Sequence, residues 1–220
     1  MTALLRMSVV PADLLHFVRH GEVDNPDRIL YGRLDGFPLS SLGEHMASRV
    51  AQALQVRPIQ RVISSPLLRA RQSAEPIAKA LGLEVETDER LIEGDNVFEG
   101  SRLNAKRILS DPSTWPHLRN PWQPSWGESY RSIAARMMAV AEDAWSSVDE
   151  GDVVLVSHQL PIWTLHRWIA GIPLPHLPNQ RRCSLSSVTS VKKVGERWKE
   201  ENYREPAIDL LTEAIDLGAV

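Results

Sequence analysis

The chain has 220 residues, 43% of them hydrophobic and 24% charged, the balance of a globular protein rather than of a disordered or fibrous one. A formal net charge of -3 offers no basic field for nucleic acid or an anionic membrane, and neither is expected as a partner. A single cysteine, Cys183, excludes an internal disulfide and any zinc or redox pair of thiols, so a reducing cytoplasm is the expected compartment.

The length suits one large α/β domain over 1–220. Arg6 interrupts the apolar residues of the opening stretch, and residues 1–12 read as a short tail. No run approaches the ~20 apolar residues that span a bilayer, so a soluble protein is expected. Leu14–Val18 is an apolar run too short for a helix and without polar alternation, as in a strand buried on both faces. Ser40 fits the N-cap of a helix reaching about Gln55. Arg61–Ile63 is a weaker strand, followed by a helix over Pro66–Ala80 that stops at Gly82, and then by a strand over Leu83–Thr87. A helix over Glu128–Trp145 precedes the apolar strand Val153–Val156, and another starts near Pro161 and ends before Gly171. Ser187–Lys192 and Glu196–Tyr203 flank Val194-Gly195 as a closing hairpin. This alternation predicts a three-layer α/β/α sandwich with a doubly wound, mostly parallel sheet.

The stretch from Glu93 to Trp126 breaks the rhythm, with Pro112, Pro116, Pro121 and Pro124 beside Trp115, Trp122 and Trp126. An insertion over about 94–126 near the active site is expected. It is either a lid or substrate wall, or a stiff surface excursion whose tryptophans pack on the domain.

In open α/β sheets ligands bind beyond the carboxyl ends of the strands. After the first strand comes Arg19-His20-Gly21-Glu22, and after the second Ser64-Ser65-Pro66-Leu67-Leu68-Arg69. After the third comes Asp88 to Glu93, and after the run at 153–156 comes Ser157-His158-Gln159. Two histidines, two arginines and a glutamate would thus share one edge. Guanidinium forks match phosphate oxygens. A neutral imidazole is a phosphorus nucleophile, and nearby arginines disfavour its cation. A glutamate beside a phosphate dianion stays protonated and can act as general acid. A second histidine, if charged, would stabilise the transferring phosphoryl group, so the set can supply phosphoryl transfer without a metal. Singly, each residue has a plainer reading: His20 as a strand-end histidine bonded to backbone, Arg69 as a solvated helix residue like its neighbour Arg71, Glu93 as one of several acids. Their convergence favours the chemical reading.

These segments resemble the histidine phosphatase superfamily, which includes cofactor-dependent phosphoglycerate mutases. Leu15 to Glu22 resembles its signature, Gly32 to Gly43 its stretch before the first long helix, and Ser64 to Ala74 its second phosphate-arginine motif. Leu91-Ile92-Glu93 with Phe98-Glu99-Gly100 resembles its acid loop, Trp126-Gly127-Glu128-Ser129 its GES element, and Val154 to Gln159 its second-histidine strand. The resemblance implies a phosphohistidine on His20 and a phosphate pocket of Arg19, Arg69 and His158 with Asn25 helping. It also implies Glu93 as proton donor and then as base for water, and Gln159 contributing its backbone N–H. No metal or cofactor is implied, and no oligomeric state.

Val23 stands where the family has Ser or Thr, and Asn25 comes one position early. Glu93 is followed by Gly94-Asp95-Asn96, without the longer Glu-Arg-His-Tyr-Gly loop of the mutases. Hydrolysis of a small phosphorylated metabolite is therefore expected over mutase chemistry. A phosphoprotein phosphatase and a silent phosphate-binding module are the remaining alternatives.

Overall fold

A computed structural model describes residues 12–101 and 127–216. Its strands are β1 (Leu14–Arg19), β2 (Ile59–Ser64), β3 (Val85–Thr87), β4 (Asp152–Ser157), β5 (Val188–Val194) and β6 (Arg197–Arg204). They form one sheet in the order β3-β2-β4-β1-β5-β6. The first four are mutually parallel, while β5 runs antiparallel to β1 and β6 antiparallel to β5. The helices are α1 (Ser41–Leu54), α2 (Leu68–Leu81), α3 (Tyr130–Trp145) and α4 (Gln159–Ile169).

The apolar runs make sense once both faces of the sheet are covered. Leu15, Phe17, Val153 and Leu155 join Ile133 and Met137 of α3 and Ile162 and Leu165 of α4 in one core. Val18, Val62, Val154 and Val156 point the other way, into a second core with Val50 and Leu54 of α1 and Ala70 and Ile77 of α2. Alternate residues of β1 and β4 thus feed opposite layers, which is why neither strand shows polar alternation. Each such side chain contributes roughly 1.5–3 kcal/mol by leaving water. This is the expected α/β/α sandwich.

Helix starts are set by local hydrogen bonds. Ser40 accepts from the Gly43 N–H at 3.0 Å and Ser129 from the Ser132 N–H at 3.2 Å, caps worth about 1 kcal/mol each. The second cap places the start of α3 at Tyr130, two residues after the expected Glu128. Likewise α2 begins at Leu68, because Leu67 is still extended. α4 opens at Gln159, ahead of Pro161, with His158 extended at its N-cap (φ -127°, ψ 170°). Pro161 then lies in the first turn, where a missing N–H breaks no intrahelical bond.

The expected strand at Leu83 shortens to Val85–Thr87. Ala12, expected in the tail, is buried and its N–H bonds to the Trp145 carbonyl at 3.0 Å. The rest of the tail and residues 102–126, most of the expected 94–126 insertion, lie outside the described residues. No helix among the described residues is long and apolar enough to cross a membrane.

Candidate active site

The carboxyl ends of β1, β2 and β4 bring together the side chains singled out from sequence. Arg19 and His158 are fully buried, and Arg69, His20 and Glu93 are 1%, 2% and 3% exposed. The rings of His20 and His158 are 5.1 Å apart, centroid to centroid. Arg71, by contrast, is exposed, since α2 turns only one of the two arginines inward.

His20 is held in one orientation and one tautomer. Its Nδ1 lies 2.7 Å from the Gly21 carbonyl, an acceptor only, so Nδ1 carries the proton and Nε2 keeps its lone pair. Burial, then the charges of Arg69 and Arg19, hold the imidazole well below its ordinary pKa. The turn bearing this ring is locked against α1. A Cβ on Gly21 would meet the Gly43 carbonyl oxygen at 2.5 Å, and one on Gly43 would meet the Glu22 carbonyl oxygen at 2.1 Å. Ser73, one turn beyond Arg69 on α2, accepts the Gly21 N–H at 3.1 Å and donates to the Arg69 carbonyl at 2.8 Å.

His158 is fixed through Ser65. The Ser65 hydroxyl lies 2.8 Å from His158 Nε2 and accepts the Leu67 N–H at 3.4 Å. A Ser65 hydroxyl that donates to Nε2 while accepting from Leu67 places the His158 proton on Nδ1. Burial, then Arg69 and His20, hold this imidazole too well below its ordinary pKa in the unliganded protein. Arg69 donates to the Gly32 carbonyl at 2.6 Å and lies over the Tyr31 ring at 4.7 Å. Tyr31 stands edge-on to His20 at 6.4 Å, and burial pushes its hydroxyl pKa up to about 12. Among the described residues, Arg19 Nε, Arg69 Nε and His158 Nδ1 are buried polar atoms without a protein partner. These atoms, at the end of β1, on α2 and just after β4, suit an anion with several oxygens.

Arg19 has a partner from the far end of the chain. Its Nη1 and Nη2 reach the two carboxylate oxygens of Asp216 at 2.7 and 2.5 Å, and Nη1 also donates to the Cys183 carbonyl at 2.7 Å. Burial works against the Arg19 charge, and Asp216 overrides it, leaving the guanidinium above its ordinary value. The segment is tethered by the Ile215 N–H donating to Glu22 at 2.6 Å.

Glu93 follows a 3-10 turn over Glu89–Leu91 whose Leu91 carbonyl is tied to β4 by the Ser157 hydroxyl at 2.7 Å. Its carboxylate accepts the Gly94 N–H at 2.8 Å. Burial raises its pKa, opposed by that bond and by Arg69, Arg181 and Arg136. Of the remaining candidates, Asn25 uses its side chain on its own loop, donating to the Ile29 carbonyl at 2.8 Å and accepting the Ile29 N–H at 3.1 Å. Gln159 reaches the Cys183 carbonyl at 3.4 Å and Arg181 at 3.2 Å. Its backbone opens α4, where N–H groups have no intrahelical acceptor.

The model of the histidine phosphatase superfamily (branch 1) matches residues 15–206. The chain belongs to the histidine phosphatase superfamily. It is 50% identical over 194 residues to the uncharacterized protein Rv0525 of Mycobacterium tuberculosis, covering 88% of this chain and 96% of that one. It is 35% identical over 183 residues to the probable phosphoglycerate mutase GpmB of Photorhabdus laumondii, covering 79% and 83%. Among solved structures, the mycobacterial glucosyl-3-phosphoglycerate phosphatase Rv2419c with inorganic phosphate superposes with a TM-score of 0.70 at 28% identity, covering 89% of this chain and 99% of that one.

Within this histidine phosphatase fold, sequence reasoning overlooked Ser65, Tyr31 and Asp216. Ser65 lay inside a quoted motif, and its contact with His158 follows from the pairing of β2 with β4. Tyr31 lies in a loop without periodicity, and 197 positions separate Arg19 from Asp216.

Proposed function

We propose that this member of the superfamily is a phosphatase that hydrolyses a small phosphomonoester through a phosphohistidine on His20. The observation that carries the reading is the His20 tautomer: a buried, neutral Nε2 lone pair beside two guanidiniums. In the first step Nε2 attacks phosphorus, the P–N bond forms and the P–O ester bond breaks. The proton of Glu93 goes to the departing oxygen, for which its raised pKa suits it. Arg19, Arg69 and the Nδ1–H of His158 supply the charge and the donors that a transferring phosphoryl group needs, which is why no metal is proposed. In the second step water attacks phosphorus, Glu93 takes its proton, the P–N bond breaks and phosphate leaves.

Mutase chemistry on the same site is the competing reading, favoured by the name of the GpmB relative. Hydrolysis is preferred because Glu93 runs directly into Gly94-Asp95-Asn96. The phosphatase named above also shares the fold over 89% of this chain. The lone buried Cys183 supports a cytoplasmic setting.

The deciding experiment is acid-labile, alkali-stable labelling of the peptide containing His20 during turnover of a labelled phosphomonoester. The wild-type protein is expected to label and to release phosphate from p-nitrophenyl phosphate in EDTA. The His20→Ala variant, folded by circular dichroism, should do neither. Phosphate release by that variant at the wild-type rate would discard the nucleophile. A need for bisphosphate priming with little net phosphate released would favour the mutase.

A further inference from the structure

Glu128 makes four side-chain contacts just outside the site. Oε2 meets Arg33 Nη2 at 2.8 Å and Arg136 Nη2 at 3.0 Å, and Oε1 accepts from Arg136 Nε at 3.0 Å and from the Ser132 hydroxyl at 2.9 Å. Both arginines then reach the backbone of the segment that carries Glu93. Arg136 Nη1 donates to the carbonyls of Arg90 and Ile92, each at 2.6 Å, and its Nη2 reaches that of Glu93 at 3.3 Å. Arg33 Nε donates to the same Glu93 carbonyl at 2.8 Å. That carbonyl is thereby gripped from the loop after β1 and from α3 at once.

We propose that Glu128 is a positioning residue for the general acid: by aligning Arg33 and Arg136 it fixes the backbone of residues 90–93, and with it the place of the Glu93 carboxyl. The proposal rests on the reading of Glu93 as the acid and deepens it. The segment needs outside support, because carbonyls leaving a short 3-10 turn have no strand beside them to pair with. Two guanidiniums alone would repel each other over these carbonyls, and one carboxylate between them removes that repulsion and sets their planes.

The rest of the GES element fits the same task. A Cβ on Gly127 would lie 1.9 Å from the Asp95 carbonyl oxygen, so only glycine lets the segment leaving Glu93 pass there. The Glu128 N–H donates to that oxygen at 3.1 Å. Ser129 caps α3, the helix that presents Arg136. Glycine, glutamate and serine thus join the acid segment to the helix start by close approach, charge and cap.

The test compares a substrate that needs its leaving oxygen protonated with one that does not. Glycerol 2-phosphate and p-nitrophenyl phosphate serve, with wild type, Glu128→Gln and Glu93→Gln measured side by side. Misplacing an acid by about 1 Å costs on the order of 10–100-fold. Glu128→Gln should lose about that much kcat on glycerol 2-phosphate and less than about threefold on p-nitrophenyl phosphate, with KM for each within about threefold. An equal loss on both substrates, or none on either, overturns the proposal. Should Glu128→Gln not fold, Arg33→Gln gives the same comparison, and absence of any split there is equally decisive against it. A split in Glu93→Gln without one in Glu128→Gln leaves the acid in place and removes the positioning role. No split in Glu93→Gln removes both, and wild type inactive on both substrates removes the phosphatase reading with them.

Discussion

Arg19 and Asp216 form a two-pronged ion pair at 2.7 and 2.5 Å, joining the residue before His20 to the C-terminal segment. A carboxylate there meets the guanidinium fork as two oxygens of a phosphate would, so a phosphate that takes the Nη donors as well as Nε must displace Asp216. Asp216 is 38% exposed, which limits what the pair is worth and lets it yield. Asp216→Asn is expected to lower KM for a phosphomonoester and the inhibition constant of inorganic phosphate about fivefold, the equivalent of a part-exposed ion pair. Product-inhibition kinetics at fixed ionic strength measures this. Unchanged or weaker phosphate inhibition would mean that Asp216 does not compete.

The stacking of Arg69 on Tyr31 separates the ring of that tyrosine from its hydroxyl. With a pKa near 12 the hydroxyl stays protonated at any working pH, and the ring is what faces the guanidinium. Tyr31→Phe should keep KM within about twofold, while Tyr31→Ala raises it about five- to tenfold through loss of the cation–π contact and of packing around His20. Similar values for the two variants would show that the hydroxyl matters instead.

Both site imidazoles are held below the ordinary histidine value by burial and by the neighbouring arginines. A free imidazole is half protonated near pH 6.5, and these two rings should still be neutral there in the unliganded protein. Because the pKa is depressed, the neutral His20 ring persists as pH falls through 6.5 and is lost only further down. Nitrogen-15 shifts of the two rings report it, and a midpoint at or above 6.5 for His20 contradicts it. Binding a phosphate dianion reverses the local charge, so phosphate uptake at low pH should be accompanied by proton uptake.

A stability prediction comes from the amino end of the same strands. Asp152 and His16 are fully buried, with His16 Nε2 at 3.0 Å from Asp152, Arg57 at 2.7 Å from the same carboxylate oxygen, and Ser190 at 2.8 Å from His16 Nδ1. Burial raises the Asp152 pKa, but bonds from His16 and Arg57 prevail and hold it below the ordinary value. A depressed carboxylate stabilises the fold above its unfolded pKa, and that contribution is lost as pH falls through the folded one. Asp152→Asn should cost about 3 kcal/mol at pH 7, or roughly 6–12 °C in Tm for a chain of this size. The gap to wild type should narrow below about pH 4. A constant difference at all pH values would assign the loss to packing alone.

The parts of this site that could be read in the sequence are those where local chemistry and strand position coincide. Arg19 and His20 directly follow β1, and His158 directly follows β4, so finding two apolar runs was enough to place them on one edge. Arg69 could be preferred over Arg71 only through a family pattern, because helical phase alone does not say which face of α2 turns inward. The Glu128–Arg33–Arg136 network left no mark, since arginines and glutamates on loops and helices are ordinarily solvated. Asn25 shows the converse. It enters only through the resemblance, one position early, and an Asn followed by a tight loop satisfies its own backbone, as its two bonds to Ile29 show.

The close fit of Gly21 against Gly43 has a consequence for how such enzymes diversify. Between these glycines the chain leaves and returns along matched feet, with Val23 bridging Leu39, Asp24 bonded to Pro38 and Ser40 bonded to Glu22. The excursion above those feet brings Tyr31 under Arg69 and Arg33 to the Glu93 carbonyl, yet it hangs from a junction that is already closed beneath it. On the proposed mechanism, changes to its length and composition would alter what the site admits while leaving the His20 nitrogen where the junction holds it.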